Sequence, residues 1–157
     1  MARILIVDDE DELREMLAET VRSLGHEVHT ASDGDVGLRV YKQQQIDLVI
    51  TDLKMPRMNG LTLLREVKLV RPDAVVLMIT AYPTIDSAVQ AIKLGAYDYI
   101  TKPFKLEQIE IVVRRAVEKK RLLEQLGLFR GMFWLALFSI PFWIILCVVW
   151  FSYVSGN

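Results

Sequence analysis

Side chains that could handle phosphate and a metal ion follow four short apolar segments of this 157-residue sequence. They are Asp8 and Asp9 after residues 4–7, Asp52 at the end of 47–52, Thr80 after 75–79, and Lys102 after 97–101. Apolar runs without alternation are typical of strands buried on both faces of a parallel sheet. The carboxyl ends of such strands meet at one edge, where open α/β folds place their sites. We therefore expect these five side chains to lie together.

Three carboxylates, a hydroxyl and an ammonium at one edge suggest a phosphoryl acceptor assisted by Mg²⁺. An aspartate that attacks a phosphorylated donor forms an acyl phosphate, and a divalent cation neutralises the phosphoryl oxygens. Mg²⁺ binds through one or two carboxylates together with water and phosphate oxygens. This division predicts Asp52 as acceptor and ligand, Asp9 as a direct ligand, and Asp8 as a ligand mostly through water. Lys102 would supply a fixed positive charge to the phosphoryl group.

The segments that must position these residues alternate strictly between strand and helix patterns. Strands are predicted at 3–8, 27–31, 47–52, 74–80 and 97–101. Helices are predicted at 10–24, 35–44, 60–70, 84–94 and from about 105 onward. Alternating βα units predict an α/β fold, a doubly wound five-stranded parallel sheet with helices on both faces.

The site residues and the loop after Asp52 resemble the receiver domain of bacterial two-component response regulators. Asp8-Asp9, Asp52, Thr80-Ala81 and Lys102-Pro103 appear in that family's order and spacing. Residues 52–60, with the sequence DLKMPRMNG, match its acceptor loop. The resemblance implies the flavodoxin-like strand order 2-1-3-4-5 and a receiver domain over residues 1–122.

The resemblance also implies roles that the residues alone do not. The phosphoryl donor would be a sensor histidine kinase or a phosphotransfer protein, and the backbone carbonyl of Lys54 would complete the metal site. Thr80 would move to hydrogen-bond the phosphoryl group, and Tyr99 would turn inward with it. The added charge of about −2 would change the surface that binds a downstream protein. The chain would be a phosphoacceptor in a phosphorelay, with self-catalysed phosphotransfer and dephosphorylation, rather than an enzyme.

Composition and charge exclude some classes of function. The 19 Lys and Arg against 20 Asp and Glu give a net charge of −1, which provides no global field that favours nucleic acid. Cys147 is the single cysteine, so an intramolecular disulfide is excluded and a reducing compartment is favoured.

The composition changes abruptly after Arg130, because residues 131–157 carry no charge. Residues 132–154 are apolar on every face, and as a helix they would span about 34 Å, enough for a hydrocarbon core of about 30 Å. The basic residues of 114–130 lie upstream, and none lies downstream. This asymmetry predicts a transmembrane helix over 131–154 in the lipid of the cytoplasmic membrane, with the receiver domain in the cytoplasm and the C-terminus outside. The last receiver helix would extend through 105–130 as a basic juxtamembrane linker.

Several alternatives stay open from the sequence alone. Haloacid-dehalogenase-type phosphatases also use a strand-end aspartate and Mg²⁺, but their Asp-x-Asp-x-Thr/Val motif fails here, since Glu12-Leu13 follows Asp11. The chain could be a passive membrane scaffold or docking module that works without phosphorylation. The tail could be a buried oligomerisation helix, the interface of a homodimer, or the product of a frameshift. The basic cluster 114–121 is either a solvated helix face or a contact for anionic lipid headgroups.

Overall fold

The computed structural model describes residues 1–123 and 125, and the chain divides into two compact units, Met1–Lys120 and Arg121–Asn157. The first unit contains the predicted sheet and the predicted site residues. The predicted transmembrane helix at 131–154, and the part of the predicted linker beyond residue 125, lie outside the described residues. Within the described part of the chain, no helix is both long enough and apolar enough to cross a membrane.

Strands and helices alternate along the first unit as the sequence predicts. The strands are β1 (Arg3–Val7), β2 (Glu27–Ala31), β3 (Leu48–Asp52), β4 (Val75–Thr80) and β5 (Asp98–Thr101). The helices are α1 (Asp11–Ser23), α2 (Gly34–Gln43), α3 (Gly60–Val70), α4 (Ile85–Lys93) and α5, whose described residues are helical through 106–123. The boundaries of β1 to β5 and α1 to α4 agree with the predicted ones to within one residue.

The five strands form one parallel sheet in the order β2-β1-β3-β4-β5. This confirms the flavodoxin-like order that the resemblance implied. The central strands β1, β3 and β4 are buried almost throughout, whereas β2 and β5 at the two edges are partly exposed. The unbroken apolar runs therefore mark the three strands that have a strand on each side and helices on both faces.

The sheet separates two apolar cores, and successive residues of each central strand point into opposite ones. Ile50 packs on the face covered by α1 and α5, and its neighbour Val49 packs on the face covered by α2 and α3. Both side chains are almost fully buried. This alternation holds the central strands rigidly, so the residues at their carboxyl ends have fixed positions.

Helices α2, α3 and α4 each begin at a side chain that accepts a hydrogen bond from a first-turn amide. Asp33 accepts from Asp35 and Val36, Asn59 from Thr62, and Thr84 from Ser87. These side chains satisfy amide groups that have no partner within the helix. The caps therefore fix where the loops that follow β2, β3 and β4 end.

Helix α5 packs on the sheet through apolar contacts and forms an ion pair with the loop before β4. Its side chains Ile109, Val113 and Ala116 are fully buried, as the predicted apolar stripe requires. Lys120 is also buried, 6% exposed, and its Nζ lies 2.9 Å from Oδ2 of Asp73. Lys120 therefore does not lie on a solvated basic face, so neither alternative given for the cluster 114–121 applies to this residue.

Candidate functional site

Asp52 ends β3 with its side chain almost enclosed, and the residue is 6% exposed. One carboxylate oxygen, Oδ2, accepts a hydrogen bond from the backbone N–H of Lys54 at 2.9 Å. The other, Oδ1, is buried and accepts no hydrogen bond from any residue that the structure describes. The loop returns tightly to the strand end, because a Cβ at Gly60 would collide with the carbonyl oxygen of Asp52.

A second buried carboxylate and an ammonium lie beside Asp52. Lys102 follows β5, and its Nζ lies 3.1 Å from Oδ2 of Asp8 and 3.4 Å from Oδ1 of Asp52. Asp8 follows β1 and is 2% exposed, and its Oδ1 accepts a hydrogen bond from the backbone N–H of Glu10 at 2.9 Å. Three residues that are distant in sequence therefore meet at the carboxyl edge of the sheet, as predicted.

The charges of this cluster do not balance, and the imbalance changes the affinity of Asp52 for a proton. Burial raises the pKa of Asp52 above its ordinary value, and the nearby negative charge of Asp8 raises it further. The ammonium of Lys102 and the N–H of Lys54 act in the opposite direction but do not cancel the effect of burial. Burial therefore makes the ionised form of Asp52 costly, and the ammonium of Lys102, 3.4 Å from Oδ1, offsets this cost in part.

The predicted magnesium ligands are brought together only in part. Asp8 and Asp52 share the contact with Lys102, whereas Asp9, which follows Asp8 in the chain, is exposed. No group of three or more His, Cys, Asp or Glu side chains within residues 1–123 is arranged to hold a metal ion. The carboxylates of Asp8 and Asp52 fit Mg²⁺ nevertheless, because this ion uses one or two protein carboxylates and takes its other ligands from water and phosphate.

Thr80 ends β4 at the same edge and is fully buried. Its Oγ1 accepts a hydrogen bond from the N–H of Tyr82 at 3.1 Å, and its carbonyl oxygen accepts one from the N–H of Lys102 at 2.8 Å. The backbone of Lys102 is thus tied to the end of β4 while its side chain reaches toward β1 and β3. The peptide bond between Lys102 and Pro103 is cis.

Tyr99 lies on β5 with its side chain half-buried, and its hydroxyl lies 2.9 Å from the hydroxyl of Ser87 on α4. Ser87 also takes part in the cap that begins α4, through its hydrogen bonds with Thr84. The sequence predicted a role for Tyr99 but missed Ser87. The Thr84-x-x-Ser87 spacing predicts a helix start and gives no sign of the contact with Tyr99.

The two loops that flank Asp52 also touch each other. The Nζ of Lys54, from the loop after β3, lies 3.9 Å from the centre of the Tyr82 ring, from the loop after β4. A cation over an aromatic ring is attracted to its face. The side chains of Lys54 and Tyr82 therefore link the loops that border the acceptor carboxylate.

The family model of the response regulator receiver domain matches residues 4–114, which include the elements from β1, except its first residue, to β5 and the whole site. The chain belongs to this family. A receiver domain from Clostridium thermocellum has the same fold in a crystal structure, with a TM-score of 0.75 and 37% identity over 78% of this chain and 99% of that chain.

Longer regulators carry similar receiver domains. The regulatory protein AtoC of Escherichia coli (strain K12) is 39% identical over 116 residues, which are 74% of this chain and 25% of AtoC. The DNA-binding transcriptional regulator NtrC of Azospirillum brasilense is 40% identical over 116 residues, which are 74% of this chain and 24% of NtrC. The chain thus spans about a quarter of the length of these relatives.

The raised pKa of Asp52 predicts that the receiver domain gains stability when this charge is removed. A carboxyl group whose pKa is raised by folding stabilises the fold below its unfolded-state pKa, and this contribution is lost as the pH rises through the folded-state pKa. We expect Asp52→Asn to raise the free energy of unfolding at pH 7 without divalent cations, and the gain to shrink as the pH falls toward the ordinary pKa of aspartate. Urea unfolding of the full chain at several pH values measures this.

Asp11→Asn is the matched control, because the side chain of Asp11 is 85% exposed. It should change stability little at any of these pH values. An Asp52→Asn protein that is less stable than the wild type at pH 7 would contradict the electrostatic description of the site.

Proposed function

We propose that this receiver domain accepts a phosphoryl group on Asp52 from a phosphohistidine of a sensor kinase or a phosphotransfer protein. The observation that carries the proposal is the contact of Lys102 with both Asp8 and Asp52, at 3.1 and 3.4 Å. An ion pair that only stabilised the fold would need one carboxylate for one ammonium. Here a second buried carboxylate is kept beside the first, and Asp52 retains an oxygen that takes no hydrogen bond within the described residues.

In the proposed reaction, Oδ1 of Asp52 attacks the phosphorus atom of phosphohistidine. The new bond joins Oδ1 to phosphorus, the phosphorus–nitrogen bond breaks, and its electron pair returns to the imidazole nitrogen. Lys102 is close enough to contact a phosphoryl group on Oδ1, where its ammonium offsets the added charge. Asp8, Asp9, Asp52 and the carbonyl of Lys54 would hold Mg²⁺, which supplies positive charge to the phosphoryl oxygens when it is bound. The chain acts as a phosphoacceptor in this proposal and not as an enzyme with a separate substrate.

The proposed output is a change on the surface formed by α4, β5 and α5. Thr80 turns toward the phosphoryl group and leaves its bond to Tyr82, and Tyr99 exchanges its contact with Ser87 for an inward position. Helix α4 presents Ile85, Val89 and Ile92 to solvent, 84%, 41% and 69% exposed. Exposed apolar side chains at spacings of four and three form one helix face, which a downstream protein partner would contact.

Labelling with a small phosphodonor tests the acceptor. With radiolabelled acetyl phosphate and Mg²⁺, the full chain should become labelled, and Asp52→Asn should lose at least about 95% of the label because the nucleophile is absent. Asp11→Asn should keep the label of the wild type, since this exposed aspartate lies outside the cluster. Full labelling of Asp52→Asn would overturn the proposal.

We further propose that residues 131–154 anchor the chain in the cytoplasmic membrane, with residues 1–130 in the cytoplasm. The support is the sequence: an uncharged, apolar segment of sufficient length, interfacial aromatics Trp134 and Trp150, and basic residues upstream of it. A tethered receiver domain would meet kinases and partners at the membrane surface.

Membrane fractionation tests this anchor. The full chain should stay in membranes after an alkaline carbonate wash, and a version that ends at Gln125 should be released, because only the full chain carries the apolar segment. Release of the full chain by the wash would contradict integral anchoring and would favour an oligomerisation helix.

A further inference from the structure

The loop between β3 and α3, residues 53–59, carries the Lys54 carbonyl that is proposed to bind the metal. Its first residues are tied to the strand by the bond from Lys54 N–H to Asp52 and by a bond of 2.9 Å from Gly60 N–H to the carbonyl of Leu53. Its far end is tied to α3 by the Asn59 cap. The middle of the loop has no strand or helix ladder, and besides the burial of Met55 in the core a polar contact holds it.

That contact is an ion pair with the start of α2. The guanidinium of Arg57 pairs with Oδ2 of Asp33, the residue that caps α2 through its Oδ1. Asp33 is fully buried, whereas the side chain of Arg57 is 65% exposed. A buried carboxylate is costly without a positive partner. The guanidinium of Arg57 therefore pairs with a buried carboxylate, that of Asp33, whose position the cap of α2 already fixes.

The backbone around this pair is unusual in two ways. Arg57 has a φ of 61°, in the left-handed region that non-glycine residues rarely adopt. A Cβ at Gly34, the first residue of α2, would collide with Met58. The loop thus lies directly against the start of α2, and the ion pair holds Arg57 in a conformation that its own backbone preference disfavours.

We propose that Arg57 and Asp33 are positioning residues for the metal site. Their ion pair fixes the β3–α3 loop against α2, which places the Lys54 carbonyl beside Asp52 and so sets the affinity for Mg²⁺. The proposal rests on the proposed function, since it concerns the metal that assists phosphorylation of Asp52. It predicts that loss of the pair weakens Mg²⁺ binding, with little effect on the phosphorylation rate once Mg²⁺ is saturating.

The test is the dissociation constant for Mg²⁺, measured by isothermal titration calorimetry of the full chain without phosphodonor, in one buffer for all variants. Arg57→Ala and Asp33→Asn should each raise this constant about tenfold, the lower bound typical of residues that orient metal ligands. The asparagine keeps an oxygen that can cap α2, so Asp33→Asn tests the charge. The double variant should lose no more affinity than either single variant, because both act through one contact.

Two further variants separate the ion pair from other causes. Arg57→Gly removes the guanidinium but fits the left-handed φ, so it should lose as much Mg²⁺ affinity as Arg57→Ala. Arg65→Ala is the matched control, because Arg65 has a similarly exposed side chain on α3 and pairs with Glu66. It should bind Mg²⁺ like the wild type.

Wild-type affinity in Arg57→Ala and Arg57→Gly would overturn the positioning role while leaving the acceptor function intact. Recovery of affinity in Arg57→Gly alone would also overturn it, since the backbone and not the ion pair would then be responsible. A wild-type chain that binds no Mg²⁺ would overturn the metal-dependent part of the proposed function as well. Labelling with acetyl phosphate at saturating Mg²⁺ shows separately whether Asp52 accepts a phosphoryl group.

Discussion

The fold keeps two buried carboxylates, Asp8 and Asp52, in contact with one ammonium, that of Lys102. Burial of charge is costly, and a single cation does not fully compensate two anions, so the pKa of Asp52 is raised. This uncompensated negative charge favours a cation, and in the proposed function a divalent cation would offset it together with the charge of the phosphoryl group. The rest of the structure must hold these three groups together although the burial of their charges is unfavourable. The strands β1 and β3 and the short segment after β5 hold them in place.

The parallel sheet provides this constraint because every strand ends at the same edge. Asp8, Asp52 and Thr80 are placed by the central strands, whose side chains pack into cores on both faces. The loops beside the site have contacts of their own, in which Lys54 contacts Tyr82 and Arg57 contacts Asp33. The link from Tyr99 to Ser87 connects the strand next to the site with the first turn of α4. In the proposed function, this contact would carry a change at Asp52 to the exposed face of α4.

Features that depend on local pattern were predictable, and those that depend on contacts between distant loops were not. The unbroken apolar runs before Asp8 and Asp52 predict central strands, and parallel strands necessarily bring their ends together. Arg57 pairs with Asp33 and has a positive φ, and nothing in the local sequence predicts either feature. The sequence places Lys120 in the basic cluster 114–121, and its burial beside Asp73 is seen only in the fold. The contact of Ser87 with Tyr99 likewise arises from how α4 packs on β5.

The most direct test of the central electrostatic claim is the pKa of the Asp52 carboxyl group, measured by carbon-13 NMR titration without divalent cations. The wild-type pKa should lie above the ordinary value for aspartate. In Lys102→Met it should lie higher still, because the cation that opposes the effects of burial and of Asp8 is gone. An ordinary or lowered pKa in the wild type, or no rise in Lys102→Met, would contradict the account.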